Sequence, residues 1–240
     1  MKFAIFGDIH ANLEALQTVL ADAEEEGCTH SVCLGDIVGY NANPQECVQV
    51  IRELDCPVVK GNHDEQASIE THLDGFNPLA EEALTWTRNS LEPEDKEWLS
   101  NLRMVRQVRD FTIVHATLDT PHKWGYVFNQ LDASASFSYQ HTAVCFFGHT
   151  HAPRAYVRDT AVHSLPFTEI RPEMGKKYFL NVGSVGQPRD GDWRAAYAIY
   201  DVRANHIKLK RLEYDIHTAQ QKVLDAGLPP RLAERLALGK

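Results

Sequence analysis

Five short segments of this chain hold carboxylates and imidazoles at positions where a fold could gather them. They are Asp8-Ile9-His10, Gly35-Asp36, Gly61-Asn62-His63-Asp64, His115 and Gly148-His149-Thr150-His151. Each follows a short apolar run: Phe3 to Phe6, Val32 to Leu34, Val58-Val59, Phe111 to Val114, and Val144 to Phe147. Such runs read as buried strands, and polar loops at the ends of buried strands are where α/β proteins build their sites. Two aspartates, one asparagine and four histidines suffice for two metal ions that share one carboxylate. A fifth histidine is then left for proton transfer.

Taken singly, these segments have plainer readings. Asp8 could cap a helix that starts near Asn12, Gly35-Asp36 could be a turn, and His115 could be a core histidine. His149 and His151, between a glycine and a proline, could be surface turn residues. Together they favour a two-metal site, because so many ionisable groups left unpaired at buried strand ends would be costly. One aspartate with two oxygens can hold two cations about 3.5–4 Å apart, the spacing of two-metal hydrolases. Imidazole mixed with carboxylate and amide oxygen suits manganese, iron, zinc, cobalt or nickel better than magnesium or calcium. Ligands two residues apart, as in Asp8/His10 and His149/His151, suit extended or turning backbone rather than helix.

The order D-x-H, G-D, G-N-H-D, a lone histidine and G-H-x-H resembles the calcineurin-like metallophosphoesterases, over residues 1 to about 200. The stretch from Asn181 to Gly191 resembles the small bacterial and archaeal phosphodiesterase branch. The resemblance implies a four-layer α/β/β/α sandwich of two mixed sheets. It also implies a metal-dependent hydrolase of phosphodiesters or small phosphorylated metabolites. Asp8, His10, Asp36 and His151 would hold one ion, and Asp36, Asn62, His115 and His149 the other, with Asp36 bridging. His63 would stand beside the ions as general acid while a hydroxide bridging them attacks phosphorus. Two divalent transition metals are expected, manganese foremost.

Departures from relatives matter too. Phosphoprotein phosphatases and symmetrical diadenosine tetraphosphate hydrolases share G-D-x-V-D-R-G, whereas this chain reads Gly35-Asp36-Ile37-Val38-Gly39-Tyr40-Asn41. The second aspartate and the arginine are absent, so another carboxylate must orient His63, and Asp64 is the candidate. Arg189 is the candidate replacement for the phosphate-binding arginine, its forked guanidinium suiting a phosphoryl group; a structural contact with Asp190 or backbone is the alternative. Asn62 could also touch substrate. His122, Lys123 and Trp124 could reach substrate from an irregular loop over 117–128, or belong to a solvated loop with one aromatic anchor. A nuclease and a non-catalytic scaffold, like the retromer subunit of similar architecture, are the rival functions. The scaffold relative lacks the catalytic histidine, which here is present as His63.

The elements that must position these groups follow from periodicity. Strands are expected at 2–6, 30–34 and 57–60, with helices over about 12–25 and from Pro44, a series that implies parallel strands and right-handed crossovers. Asn43 is expected to cap the second helix and Glu46 to complete a box. Residues 65–102 read as helical, with starts at Asn77-Pro78 and Pro93. A hairpin is expected at 104–108 and 111–115, a short helix at 129–138, and a strand at 143–147. Strands near 153–158, 162–168, 177–182, 194–201 and 205–212 should be mostly antiparallel. The chain is expected to form a single domain, 1–240, with a helical tail over 215–239 broken at Gly227-Leu228-Pro229-Pro230.

At 240 residues the chain is long enough to bury a substantial core. Its net charge of −9 argues against a duplex nucleic-acid surface, which needs a basic stripe. Five cysteines with no C-x-x-C do not look like a disulfide framework. Residues 2–6 are expected to form the first strand, and neither a leader nor a membrane-spanning apolar stretch is expected. The cytoplasm is the expected compartment, a small phosphorylated molecule the expected partner, and a homodimer the expected assembly on base rates.

Overall fold

The structure is a computed structural model and describes residues 1–69 and 77–240. Among those residues the strands form two sheets. In the first, β1 (Lys2–Phe6) lies between β2 (His30–Cys33), parallel to it, and β10 (Ala195–Asp201), antiparallel; β11 (His206–Leu212) and β8 (Glu169–Ile170) continue the antiparallel side. The second sheet runs in the order β3 (Val105–Val108), β4 (Phe111–Val114), β5 (Val144–Phe147), β9 (Lys177–Asn181), β6 (Arg154–Arg158) and β7 (Val162–Leu165). The pairs β4–β5 and β5–β9 are parallel and the others antiparallel, so both sheets are mixed.

Strand periodicity explains the layering. Alternate residues of a strand face opposite sides. Phe3 and Ile5 of β1 join Ile113, Phe146, Ala155, Leu180 and Tyr200 in one cluster, which is the filling between the two sheets. Ala4 and Phe6, on the other face of β1, pack under Leu16 and Val19 of α1 (Leu13–Glu25) and Val48 and Ile51 of α2 (Pro44–Glu53). Cys145, Phe147, Tyr156 and Phe179 face outward from the second sheet, against Ala133 and Phe137 of α6 (Gln130–Tyr139). The result is helix, sheet, sheet, helix. Strands buried on both faces read as unbroken apolar runs, which is why they stand out in the sequence.

Remaining helices are α3 (Asn62–Ser68), α4 (Pro78–Ser90), α5 (Pro93–Ser100), α7 (Ile216–Asp225) and α8 (Pro230–Leu238). The part of the expected 65–102 helical region over 70–76 lies outside the described residues; Asn77 caps α4 by accepting from the Ala80 N–H. Residues 215–239 pack inward. Val223, Leu228 and Leu232 share a cluster with Tyr40, Ala80 and Ala83, and α7 lies against α1.

Three local expectations need correction. Asn43 does not cap α2; its side-chain amide donates to the Glu46 carboxylate at 2.9 Å instead. The strand at 57–60 is reduced to two isolated bridges, Cys33–Val58 and Val59–Arg103, because its two neighbours each take one residue. The strand expected at 162–168 ends at Leu165 as β7, and the next strand, β8, belongs to the other sheet. Pro166, which has no N–H for a ladder, stands between them.

Candidate metal centre

All five segments emerge at the same end of the sheets. Loops after β1 and β2 run side by side: the Asp8, His10 and Ala11 amides donate to the carbonyls of Gly35, Asp36 and Ile37 at 2.8–2.9 Å. Gly148 N–H donates to the His115 carbonyl, which joins the loops after β4 and β5. Residues Asn181 to Gln187 brace this assembly from behind. The Asn181 amide donates to the Gly148 carbonyl and the Thr150 hydroxyl, and the Ser184 hydroxyl donates to the Asp8 carbonyl.

The tight packing of these loops has two local signatures. Asp8, His10, Asp36, His149 and His151 all have left-handed backbone, with φ of 49–68°. Non-glycine residues rarely adopt that region, and it concentrates at functional sites that surrounding structure over-determines. Gly61 and Gly148 are needed as glycines for a different reason. A Cβ on Gly61 would run into the Asp36 carboxylate, and one on Gly148 into that of Asp8.

Two groups of donors converge at this point. Ligand atoms of Asp8, His10, Asp36 and His151 lie within 4.8 Å of one another, as do those of Asp36, His115 and His149. Asp36 belongs to both. Its Oδ1 accepts from the His63 backbone N–H at 2.8 Å, and its Oδ2 faces His10 Nε2 at 3.5 Å and His115 Nε2 at 3.4 Å. Asn62 lines the same cleft, and its Oδ1 is buried with no hydrogen-bond partner among the described residues.

The histidine tautomers follow from backbone carbonyls. His10 Nδ1 donates to Val38 O at 3.0 Å, His151 Nδ1 to Gln187 O at 2.6 Å, His115 Nδ1 to Leu34 O at 2.8 Å and His149 Nε2 to Trp124 O at 2.9 Å. In neutral rings the opposite nitrogens are therefore bare lone pairs. They meet in twos: His10 Nε2 faces His151 Nε2 at 3.1 Å, and His115 Nε2 faces His149 Nδ1 at 3.1 Å. Lone pairs facing each other at that range repel unless a proton or cation lies beside them. Imidazoles oriented by a carbonyl on the far nitrogen are the usual form of metal-binding histidine. The donor set thus fits two cations, one per group, with the orphaned Asn62 oxygen turned to the same cleft.

Electrostatics of the protein alone agree with that fit. Burial drives the His10, His149 and His151 imidazoles down, His149 to about 3, so they are neutral. Burial also pushes down on His115, but the Asp36 and Asp8 charges outweigh it and raise the ring to about 9. Burial works against ionising Asp36, and the neighbouring His115 and His63 still hold it well below the usual carboxylate range. Asp8 is pushed up to about 6 by burial.

His63 belongs to neither group. Its ring stands 4.8 Å from His10 and 4.6 Å from Tyr40, centroid to centroid, and lines the cleft. Gly39, where some relatives place the second aspartate, packs against it: a Cβ there would sit 2.5 Å from His63 Nδ1. Asp64 does not take over that aspartate's role. Its carboxylate accepts from the backbone N–H groups of Asp36 at 2.8 Å, Gly61 at 2.9 Å, Ile37 at 2.8 Å and Val38 at 3.4 Å. Those donors occupy both oxygens, so Asp64 fastens the Asp36 loop to the start of α3 rather than orienting His63. Burial and the Asp36 charge push Asp64 up to about 7, against the pull of these hydrogen bonds.

The cleft in front of these groups has a volume of about 380 Å³. Arg189 lines it, its guanidinium donating to the Gln187 side-chain carbonyl and lying 5.6 Å from the Tyr40 ring centre. Asp190 pairs with Arg211, and no Arg189–Asp190 ion pair is formed among the described residues. Lys123 and Trp124 also line the cleft, while His122 is exposed outside it. Asp8 does not cap α1, because Asn12 does, accepting from the Ala15 N–H. Tyr40, Gln66, Asn77 and Tyr126 line the cleft too, and sequence reasoning does not single them out. The Gly39-Tyr40 departure hints at Tyr40, and the irregular loop over 117–128 at Tyr126.

A layered α/β/β/α sandwich with a candidate dimetal centre at one rim defines a class of hydrolase scaffold. Comparison with known proteins identifies it: residues 1–205 match the calcineurin-like phosphoesterase superfamily domain, and the chain belongs to that family. It is 39% identical to an uncharacterized protein of Methanocaldococcus jannaschii, over 99% of this chain and 98% of that one. It is similar to the crystal structure of a metallophosphoesterase from Sphaerobacter thermophilus, with 38% identity, a TM-score of 0.88, and coverage of 100% of this chain and 99% of that one. A hypothetical protein from Pyrococcus horikoshii shares the fold at 18% identity, with a TM-score of 0.82 over 100% of this chain and 98% of that one. Among the described residues no helix is long and apolar enough to cross a membrane.

Proposed function

We propose that this chain hydrolyses phosphodiesters or small phosphorylated metabolites using two divalent transition metals, manganese being the one its family resemblance favours and iron, zinc, cobalt or nickel fitting the same donors. Asp8, His10, Asp36 and His151 would hold one ion, and Asp36, Asn62, His115 and His149 the other. The observation that carries this reading is the pair of imidazole couples, His10 with His151 and His115 with His149, that face each other around Asp36 Oδ2 through the nitrogens not bonded to backbone carbonyls. When bound, two such ions would supply a hydroxide near neutral pH and offset charge on the phosphoryl oxygens.

The protein's own groups do the rest. Arg189 offers a guanidinium that no carboxylate pairs among the described residues, which suits a non-bridging phosphoryl oxygen. In hydrolysis an oxygen from water bonds to phosphorus, the P–O ester bond breaks, and its electron pair leaves with the ester oxygen. His63 supplies the proton that oxygen needs, and the other product proton goes to solvent. Burial holds His63 at about 4, with the Asp36 charge only partly opposing it and Arg189 adding to the effect. Negative charge on a bound phosphate ester raises that value and makes the ring a proton donor.

The test uses bis-p-nitrophenyl phosphate with chelator-treated protein. Turnover is expected to be absent, and to return with manganese, cobalt or nickel better than with magnesium. Full activity with magnesium alone would overturn the ligand assignment. Absence of any ester hydrolysis by protein holding two ions would overturn the enzymatic reading.

A further inference from the structure

We propose that Tyr126 and Phe128 form a stacking platform for a flat aromatic group on the substrate, a nucleobase, so that the preferred phosphate ester is a nucleotide ester. This rests on the phosphoesterase reading above and adds a substrate class to it.

Three rings stand in series at the rim of the cleft. Tyr126 stacks on His149 with centroids 4.2 Å apart and planes at 22°, and Phe128 stacks on Tyr126 at 5.3 Å and 6°. The series therefore begins on a candidate metal ligand and leads outward. Tyr126 is 49% exposed and Phe128 68%, whereas Phe111, Phe137, Phe146, Phe147 and Phe179 are buried. Single exposed aromatics are ordinary on protein surfaces. Two parallel rings contiguous with a cleft that also contains Trp124, Tyr40 and Arg189 are not explained that way.

The loop holds these rings in place before any ligand arrives. Val127 lies between them in sequence and is buried beneath α6, and its carbonyl accepts from the Tyr156 hydroxyl at 3.2 Å. Alternation then turns both neighbours outward. Phe128 N–H donates to Asp132 at 2.9 Å, and the Trp124 carbonyl accepts from His149. Trp124 itself has left-handed backbone, φ 53°, held by these surroundings. Ring positions fixed in this way lose little entropy on binding.

The chemistry recognised is a flat π-face joined to a phosphate. Phosphoryl oxygens would sit at the Asp36–His149 end and near Arg189, and the base would stack on the open face of Phe128, at the outer end of the ring series. Aromatic stacking tolerates every base, so the platform selects the presence of a base more than its identity. Tyr126 touches a candidate ligand, so its removal could disturb metal binding. Phe128 makes no contact with one and is the cleaner position to change.

The experiment compares methyl adenosine-5′-phosphate with methyl ribose-5-phosphate, which differ only in the base, on the manganese-loaded protein. The kcat/KM ratio for the two esters is expected to favour the nucleotide in the wild type. In Phe128→Ala that ratio should fall by about 5- to 30-fold, while Phe128→Trp keeps it. A wild-type ratio near one, or an unchanged ratio in Phe128→Ala, overturns the proposal. So does a change of oligomeric state in Phe128→Ala without a change of ratio, which would make this surface a contact between copies of the chain. If neither ester is hydrolysed, the phosphoesterase reading fails, and adenosine monophosphate binding followed by calorimetry decides the platform. Binding weakened in Phe128→Ala supports it, and no binding by the wild type overturns it.

Discussion

Asp64→Asn separates two roles for one carboxylate. Asp64 is fully buried and accepts four backbone N–H groups, two of them strongly on Oδ2 from Asp36 and Gly61. Asparagine is nearly isosteric and can keep one oxygen. Its NH₂ group must then face two N–H donors that have no other acceptor among the described residues. Hydrogen bonds to a charged group are worth about 1.5–3 kcal/mol each, so losing two costs about 3–6 kcal/mol before compensation. Relief comes from no longer burying a charge, the effect that pushes this carboxyl up to about 7. That relief is of the same order as the loss, so a net loss of no more than about 2 kcal/mol is expected at pH 8, where the wild-type group is mostly ionised. Urea unfolding of chelator-treated protein measures it without a contribution from bound metal. Metal affinity should fall too, because the Asp36 amide is one of the released donors. If Asp64 oriented His63 instead, the variant would unfold at the wild-type midpoint and lose turnover selectively on esters with poor leaving groups. That pair of results would refute the anchoring role of Asp64.

Asp36→Asn is expected to lower metal content to one ion or none per chain by elemental analysis, since Asp36 alone belongs to both ligand groups; two retained ions would count against bridging. His63→Gln should keep both ions but lose roughly 10²–10⁴-fold in kcat on alkyl esters and much less on p-nitrophenyl esters, whose leaving group hardly needs a proton. Equal losses on both would point to phosphate binding by His63, and a lost ion would make it a ligand. Metal uptake should weaken as pH falls. His115 binds a proton below about 9 in the metal-free protein and must release it to ligate, and Asp8 adds a second loss as pH drops through about 6. Calorimetry at pH 7 in two buffers of different ionisation enthalpy should detect that released proton, and its absence would remove His115 from the ligand set.

Much of this architecture is legible in the sequence because burial and ligation leave different marks. Strands sandwiched between sheets and helices must be apolar on both faces, so Phe3 to Phe6 and Val144 to Phe147 announce themselves. Glycine followed by a ligand, as at Gly61 and Gly148, is forced by carboxylates pressing on the backbone. The role of Asp64 does not follow from its motif, although a signal exists. It stands three residues after Gly61, at the third position of α3, where an acidic side chain accepts from the capping residue's N–H. The rims of the cleft are harder to read. Tyr40 and Tyr126 come from loops, whose side-chain directions have no period to exploit.

What the sequence hides most completely is the tautomer control. His10, His115, His149 and His151 are each fixed by a backbone carbonyl, from Val38, Leu34, Trp124 and Gln187 respectively. Any residue type supplies a carbonyl, so no motif can encode these partners. They depend on backbone path alone, including the left-handed turn at Trp124 that aims one of them. Two chains with the same ligand residues can therefore differ in metal affinity through loop path. In this chain the loop that sets His149 also carries Tyr126 and Phe128. Orientation of a candidate metal ligand and recognition of the substrate's distal group are thus built into one segment, and a change in that loop should alter both together.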